Sequence, residues 1–154
     1  MIIRKVTQNC IDLVKYFEGF SYKPYICAGG YKTILTGHII TVNENFDYIT
    51  KDNAEQEGER ILHMDLIKSE MSVLRLIHIP LEDYQYDALC SWTFNLGGGA
   101  LQRSTLRSKI NRKEHDLVPD EFRKWVYANG RILKGLVRRR ITEAHLYTTG
   151  ELII

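Results

Sequence analysis

The hydrophobic rhythm of this chain changes twice, and those changes limit its fold more than any single residue does. After Thr7, which reads as an N-cap, Cys10, Ile11, Val14 and Phe17 recur at helical spacing until Gly19 stops the run. From about residue 20 to 48 the texture turns to prolines, the paired glycines Gly29-Gly30, and the β-branched runs Thr33-Ile34-Leu35-Thr36 and Ile39-Ile40-Thr41-Val42. That pattern predicts a small, irregular antiparallel sheet. Helical periodicity returns after Thr50, a second N-cap candidate, and Ile61, Leu62, Leu66, Val73 and Ile77 carry it to a stop at Pro80. A helix of that length can join two lobes. Beyond it the pattern reads as helical throughout. Tyr86, Leu89, Cys90 and Thr93 share a face, and Ser104 or Thr105 caps a short helix. Pro119 opens another helix, Asn129-Gly130 turns the chain, and Leu136, Val137, Ile141 and Ala144 form a last helix before Gly150. The expected architecture is α+β: a small antiparallel sheet lobe over about 19–50, and a larger helical lobe made of the first helix and about 78–154. The long helix joins them, and a cleft between them suits a polymer. At 154 residues the whole of 1–154 is expected to be a single domain with a real core.

Composition removes some function classes. A hydrophobic share of 44% and a charged share of 26% are those of an ordinary soluble protein, and a net charge of +2 gives no global field for nucleic acid. The charge is local instead. Arg131, Lys134 and Arg138 to Arg140 gather late in the chain, while Asp52, Glu55, Glu57 and Glu59 form an acidic stretch. A dipolar surface with a basic end would suit an anionic polymer such as a bacterial wall; solvated helix faces are the plainer reading. Cys10, Cys27 and Cys90 are an odd number without metal-type pairing, so no metal and no cofactor is expected. With no signal peptide, the cysteines fit a reducing cytoplasm. The opening Met1-Ile2-Ile3-Arg4-Lys5 is too short to span a membrane. A substrate outside the membrane would then require another agent to release the protein.

The chemistry concentrates where the first helix ends. Glu18 sits at its last turn, near the negative end of the helix dipole, with Phe17, Phe20, Tyr22 and Tyr25 close in sequence. If those rings strip water from the carboxyl, its proton is held more tightly and becomes available to a leaving group. Nine residues on is a thiol, Cys27, and six further a hydroxyl, Thr33. Each has a plain alternative. Glu18 could pair with an arginine among Arg138 to Arg140, Cys27 could be a small inert core residue, and Thr33 could be a mere β-former. His38, following Gly37, reads as a structural clamp paired with Asp65 on the long helix. Gly97-Gly98-Gly99 lacks the Lys-Ser/Thr of a phosphate loop and reads as a helix break that exposes Phe94 and Asn95. Trp125 is assigned to the core.

Three ordered blocks then carry a resemblance. The first is Phe17-Glu18-Gly19-Phe20 with Tyr25, Cys27, Gly30, Thr33, Gly37 and His38. The second is Gln85-Tyr86-Asp87-Ala88-Leu89, then Ser91-Trp92-Thr93-Phe94-Asn95-Leu96-Gly97, Gly99-Ala100-Leu101 and Ser104-Thr105-Leu106. The third is Phe122-Arg123-Lys124-Trp125, then Gly135-Leu136-Val137-Arg138-Arg139-Arg140 with Glu143. From about Thr7 to Gly150 the chain resembles the phage-type lysozymes, the endolysins of glycoside hydrolase family 24. The resemblance implies a lysozyme-like fold and a muramidase that cuts the β-1,4 bond between N-acetylmuramic acid and N-acetylglucosamine in peptidoglycan for host lysis. It puts Glu18 on the catalytic acid, Cys27 on the second catalytic position and Thr33 on the catalytic threonine. It puts Ile39, Phe94, Asn95 and Thr105 at or beside substrate contacts.

The implied enzyme is a monomer that needs no nucleic acid. It waits in the host cytoplasm until a membrane-permeabilising, holin-like partner admits it to the wall. Cys27 stands where many members carry Asp. As a thiolate it could act as base for a water held by Thr33, inverting the sugar, or attack the sugar itself, retaining it. Leu35 stands where the family has glycine, and is expected to narrow the sugar channel, bend the hairpin or lower activity. Those two departures prompt an alternative, a catalytically weak glycan-binding protein. A lytic transglycosylase is a further alternative, against which Thr33 speaks.

Overall fold

A computed structural model of the protein describes residues 4–154. Met1 to Ile3, part of the opening segment read above as too short for a membrane span, lie outside the described residues. Helix α1 (Gln8–Glu18) starts at an extended Thr7 whose hydroxyl accepts from the Asn9 N–H, and it ends at Gly19 with φ 69°. Strands β1 (Ser21–Ile26), β2 (Lys32–Leu35) and β3 (His38–Ile39) form one antiparallel sheet in that order. The pairing of β1 with β2 is irregular between Ser21 and Tyr25, where Pro24 has no N–H to give a ladder. Tyr25 lies opposite Thr33, and Thr33 opposite Ile39. The three therefore form a row across one face of the sheet.

Helix α2 (Ala54–Leu76) is 23 residues, roughly 35 Å at 1.5 Å per residue. It starts later than Thr50: Asn53 is the N-cap, and its Oδ1 accepts the Thr50 N–H at 2.8 Å. It also stops short of Pro80, at an extended Ile77. Helix α3 (Asp83–Leu96) opens with a capping box between Glu82 and Gln85. Then come α4 (Gly98–Arg103), α5 (Thr105–Asn111) capped by the Ser104 hydroxyl, a 3-10 turn at His115–Leu117, and α6 (Val118–Arg123) with Pro119 in its first turn. Helix α7 (Lys134–Thr149) closes on a left-handed Gly150.

The second half is not helical throughout. Strands β4 (Tyr127–Ala128) and β5 (Arg131–Ile132) make a small hairpin. Asn129 and Gly130 both take positive φ, 52° and 75°, which is the backbone a two-residue hairpin loop demands and Asn-Gly supplies.

Two hydrophobic clusters result, and α2 belongs to both. Its Ala54 and Ile61 pack with Ile34 and Leu35 under the sheet. Its Leu62, Leu66, Val73 and Leu76 pack into the large cluster with α1, α3 and the later helices. Trp92 is fully buried there, with Trp125 edge-on at 5.2 Å, as a core assignment requires. This is the expected α+β arrangement, with the end of α1 lying where sheet and helices meet. Among the described residues no helix is long and apolar enough to cross a membrane.

Candidate active site

Glu18 is the last residue of α1, and its side chain is only 19% exposed. Its Oε1 accepts a hydrogen bond from Nη1 of Arg139 at 2.6 Å. Arg139 lies on α7, buried, with Nε 3.3 Å from Glu143 Oε2 and Nη2 3.3 Å from the Ser91 carbonyl. Glu143, fully buried, accepts from the Ser91 hydroxyl at 2.5 Å and pairs with Arg140. Arg140 in turn donates to the Trp125 carbonyl at 2.9 Å and to Asn95 Oδ1. A continuous polar chain thus runs from Glu18 through Arg139, Glu143 and Arg140 to Asn95. Two buried cations are tolerable because each carboxylate and guanidinium finds several partners in place of water. Burial alone would pull the Arg139 guanidinium down, but Glu18 and Glu143 beside it hold it above its usual range.

The other carboxyl oxygen of Glu18 faces backbone. Gly37, in the turn between β2 and β3, has φ 65°, and a Cβ built there would lie 2.5 Å from Oε2. Only glycine lets the turn pack so near the acid. Glu18 is therefore gripped from α7 on one side and from the sheet on the other.

Cys27 and Thr33 meet at the far end of β1 and β2. The Cys27 thiol is partly exposed, and burial would raise its pKa. The Thr33 side chain beside it and the backbone N–H groups around Gly29 and Tyr31 outweigh that and hold it below the ordinary value. Thr33 itself is buried, its hydroxyl donating to the Tyr31 carbonyl at 2.9 Å. Tyr25, beside Thr33 in the sheet row, has its phenol pushed up by burial and then by the charges of Glu18 and Cys27. Tyr25 thus lies within electrostatic reach of both the acid and the thiol. Ile39, 48% exposed, completes the row on the other side of Thr33. The Asn129 side chain of the β4–β5 hairpin donates to the Ala28 carbonyl at 3.0 Å, bridging the helical side to the Cys27 loop.

Glu18, Cys27, Thr33 and Ile39 are thus brought together, and Asn95 is tied to them through arginines. Phe94 is partly buried against the large core. Thr105, exposed at the start of α5, has no hydrogen bond to this group among the described residues.

Four expectations need correction. Glu18 is not caged by four rings: Phe20 is 55% exposed and lies against Gly58, and Tyr22 packs on the small core. Its partner is Arg139, which is the plainer alternative of a pairing with one of Arg138 to Arg140. The basic end is only partly a surface: Arg131, Lys134 and Arg138 are exposed, the last donating to the Tyr16 hydroxyl at 3.1 Å, while Arg139 and Arg140 are buried in the ion network. Leu35 does not narrow a channel. It is 0% exposed, held in the small core at φ 58°. The glycine it replaces is therefore explained by backbone, not by ligand approach.

The fourth concerns His38. The His38–Asp65 clamp is present, at 2.7 Å, but a second carboxylate, Glu44 at 3.0 Å, was missed. Also unforeseen were Gly37 against Glu18, Asn129 on Ala28, and Glu143 with Ser91 behind Arg139. Of these only Asn129-Gly130 carried a local signal, as a turn.

The sequence pattern described as phage lysozyme matches residues 15–143. An endolysin of Acyrthosiphon pisum secondary endosymbiont phage 1 is 35% identical over 146 residues, covering 92% of this chain and 97% of that one. An endolysin of Bacillus phage B103 is 34% identical over 95% of this chain, which spans only 55% of that longer protein. Among solved structures, an endolysin from Escherichia coli O157:H7 phage FAHEc1 superposes with a TM-score of 0.84 at 27% identity, covering 98% of each chain.

Proposed function

Since this chain belongs to the phage lysozyme family, the peptidoglycan-hydrolysing lysozymes of host lysis, we propose that it is a muramidase in which Glu18 is the general acid. On this reading it cleaves the β-1,4 bond between N-acetylmuramic acid and N-acetylglucosamine. What supports the reading is that Glu18 ends α1 against the Gly37 turn of the sheet, while Thr33 lies between Tyr25 and Ile39 on that sheet and Cys27 follows directly after β1. Glu18, fixed by Arg139 and Gly37, hands its proton to the bridging oxygen. Cys27, whose thiolate is favoured by Thr33 and backbone N–H groups, takes a proton from water on the opposite face of the sugar. The Thr33 hydroxyl positions that water, which adds to the anomeric carbon as the leaving sugar departs, inverting the centre. Ile39 on the sheet, with Phe94, Asn95 and Thr105 on the helical side, borders the glycan. Residues 1–154 act as one lysozyme domain and as a monomer. The protein stays in the host cytoplasm until a holin-like partner permeabilises the membrane, and then it acts on the wall.

The test is release of muropeptides from purified bacterial sacculi, read by mass. Reducing ends are expected, and Glu18→Gln lowers the rate by about 100-fold or more, in line with loss of an acid catalyst. Cys27→Ser, which keeps shape but loses the thiolate, lowers it by at least about tenfold while melting is unchanged. Undiminished release by Glu18→Gln, or anhydro ends from the native chain, would refute the assignment.

A further inference from the structure

Four apolar side chains stand out of the long helix on the side turned away from both cores. Met64 is 53% exposed, Ile67 36%, Met71 55% and Leu74 43%. Spaced three and four residues apart, they stack into one stripe along α2. The opposite face carries Leu62, Leu66, Val73 and Leu76 into the core. An isolated exposed apolar residue is ordinary, but an aligned row of four is a contact surface in waiting. No residue of the candidate active site lies on α2. At its N-terminal end the stripe opens into a cavity of about 330 Å³, lined in part by Phe46, Tyr48, Arg60, Met64 and Lys68, and by Glu44 and Asp65, whose carboxylates are taken up by His38. The Phe46 and Tyr48 rings stack there with centroids 6.1 Å apart, and Tyr48 is 48% exposed.

The charges select the occupant. Arg60 and Lys68 flank Met64 at four residues on either side, and Arg75 follows Met71 at the same spacing, so all three share the stripe's face. Arg60 is paired with Glu57 at 2.7 Å. Lys68 is 80% exposed and only loosely placed, 3.8 Å from Asp65, whose carboxylate already holds His38. Arg75 is exposed and makes no ion pair among the described residues. The remaining acids of α2 are turned elsewhere: Glu55 lies toward Lys15 and Phe20, Glu59 binds Lys15, and Glu70 is buried. The face therefore presents apolar side chains beside one cation without an ion pair among the described residues, Arg75, and one only loosely paired, Lys68. A second copy of the chain would set those cations against their equals. We propose that this face of α2 docks on an anionic lipid bilayer, with Met64, Ile67, Met71 and Leu74 among the acyl chains and Lys68 and Arg75 at the phosphates. The Phe46–Tyr48 pair meets the headgroup zone, where a ring with a polar tip is at home.

Co-sedimentation of the full chain with vesicles decides it. Vesicles mixing phosphatidylglycerol with phosphatidylcholine are compared with vesicles of phosphatidylcholine alone, at low and high salt. Binding to the anionic vesicles is expected, weakened by salt and by about fivefold for each cation removed. Lys68→Gln with Arg75→Gln, and separately Met64→Gln with Met71→Gln, should each lose the selective binding. Both variants should keep native melting and native muropeptide release from sacculi. No preference for the anionic vesicles, or binding that survives both variants, would overturn the proposal. So would a dimer in sedimentation that the methionine variant dissolves. None of those results would touch the hydrolase assignment, which the sacculus assay reads alone.

Discussion

At residue 35 the chain carries a side chain where its backbone asks for none. Leu35 is held at φ 58°, in a region that costs an L-residue with a Cβ roughly 1–2 kcal/mol, yet its side chain fills the small core completely. Packing wins over strain, because burying a leucine is worth about 1.5–3 kcal/mol. Two substitutions separate these effects. Leu35→Ala removes the packing and keeps the strain, at a cost of about 2–5 kcal/mol in denaturant unfolding. Leu35→Gly removes both, and is expected to be more stable than Leu35→Ala by about 1 kcal/mol, reversing the usual order of Ala and Gly in a strand. Equal midpoints would show that the strain is absent. Sequence reasoning located the oddity but gave it to the ligand, because pattern alone does not report φ. Glu18, Cys27 and Thr33 were legible for the opposite reason: all three fall within sixteen consecutive residues, so local order nearly sets their proximity.

At the scale of elements, the short strand β3 depends on a clamp. His38 bonds Asp65 of α2 through Nδ1 and Glu44 through Nε2, fastening the hairpin to the long helix and to the following loop. The Asp65 hydrogen bond raises the His38 pKa above its ordinary value; burial opposes this and is outweighed. A raised folded-state pKa means stability that is fully present below the unfolded value of about 6.5 and is lost as pH rises through the folded value. Glu44 works in the other direction. Burial raises its pKa, but bonds from Thr41 and His38 bring it below the ordinary value, so its share fades as pH falls through that lowered value. His38→Gln is therefore expected to cost about 1–3 kcal/mol near pH 5.5, with the gap to the native chain narrowing above pH 7. Thermal melts across that range check it, and a gap that widens with pH would be fatal. The Asp65 pairing was foreseeable, since a histidine after a tight turn needs partners and the adjoining helix supplied an acid. Helix starts and stops were readable at Thr7, Ser104 and Gly150, where a side chain or a glycine caps the backbone directly. The β4–β5 hairpin was not, because two residues per strand leave no period to detect.

Across the whole molecule, two lobes approach each other at the loop that carries Cys27. The Asn129 amide, carried by the β4–β5 hairpin, reaches the Ala28 carbonyl beside Cys27. A glycan strand lying in the groove has to part that bridge. Asn129→Gly keeps the positive φ that the turn needs and deletes only the donor. An exposed hydrogen bond contributes about 0.5–1 kcal/mol, so the substitution is expected to lower KM for glycan strands by about twofold to fivefold at unchanged melting temperature. Unaltered KM would show that the bridge does not restrain the groove. Nothing in local sequence announces a contact between residues 28 and 129; only the folded chain brings them together.

The acid's principal partner also comes from far along the chain, though there the late arginine run did point to it. Glu18 is made early in synthesis, whereas Arg139 and Glu143, which orient it, come on the last helix. A nascent chain that does not yet include α7 carries an unoriented carboxyl and no finished groove, however well its first lobe has folded. Lytic competence is thus deferred until α7 has been made and docked, because the orienting partners of Glu18 stand on that helix.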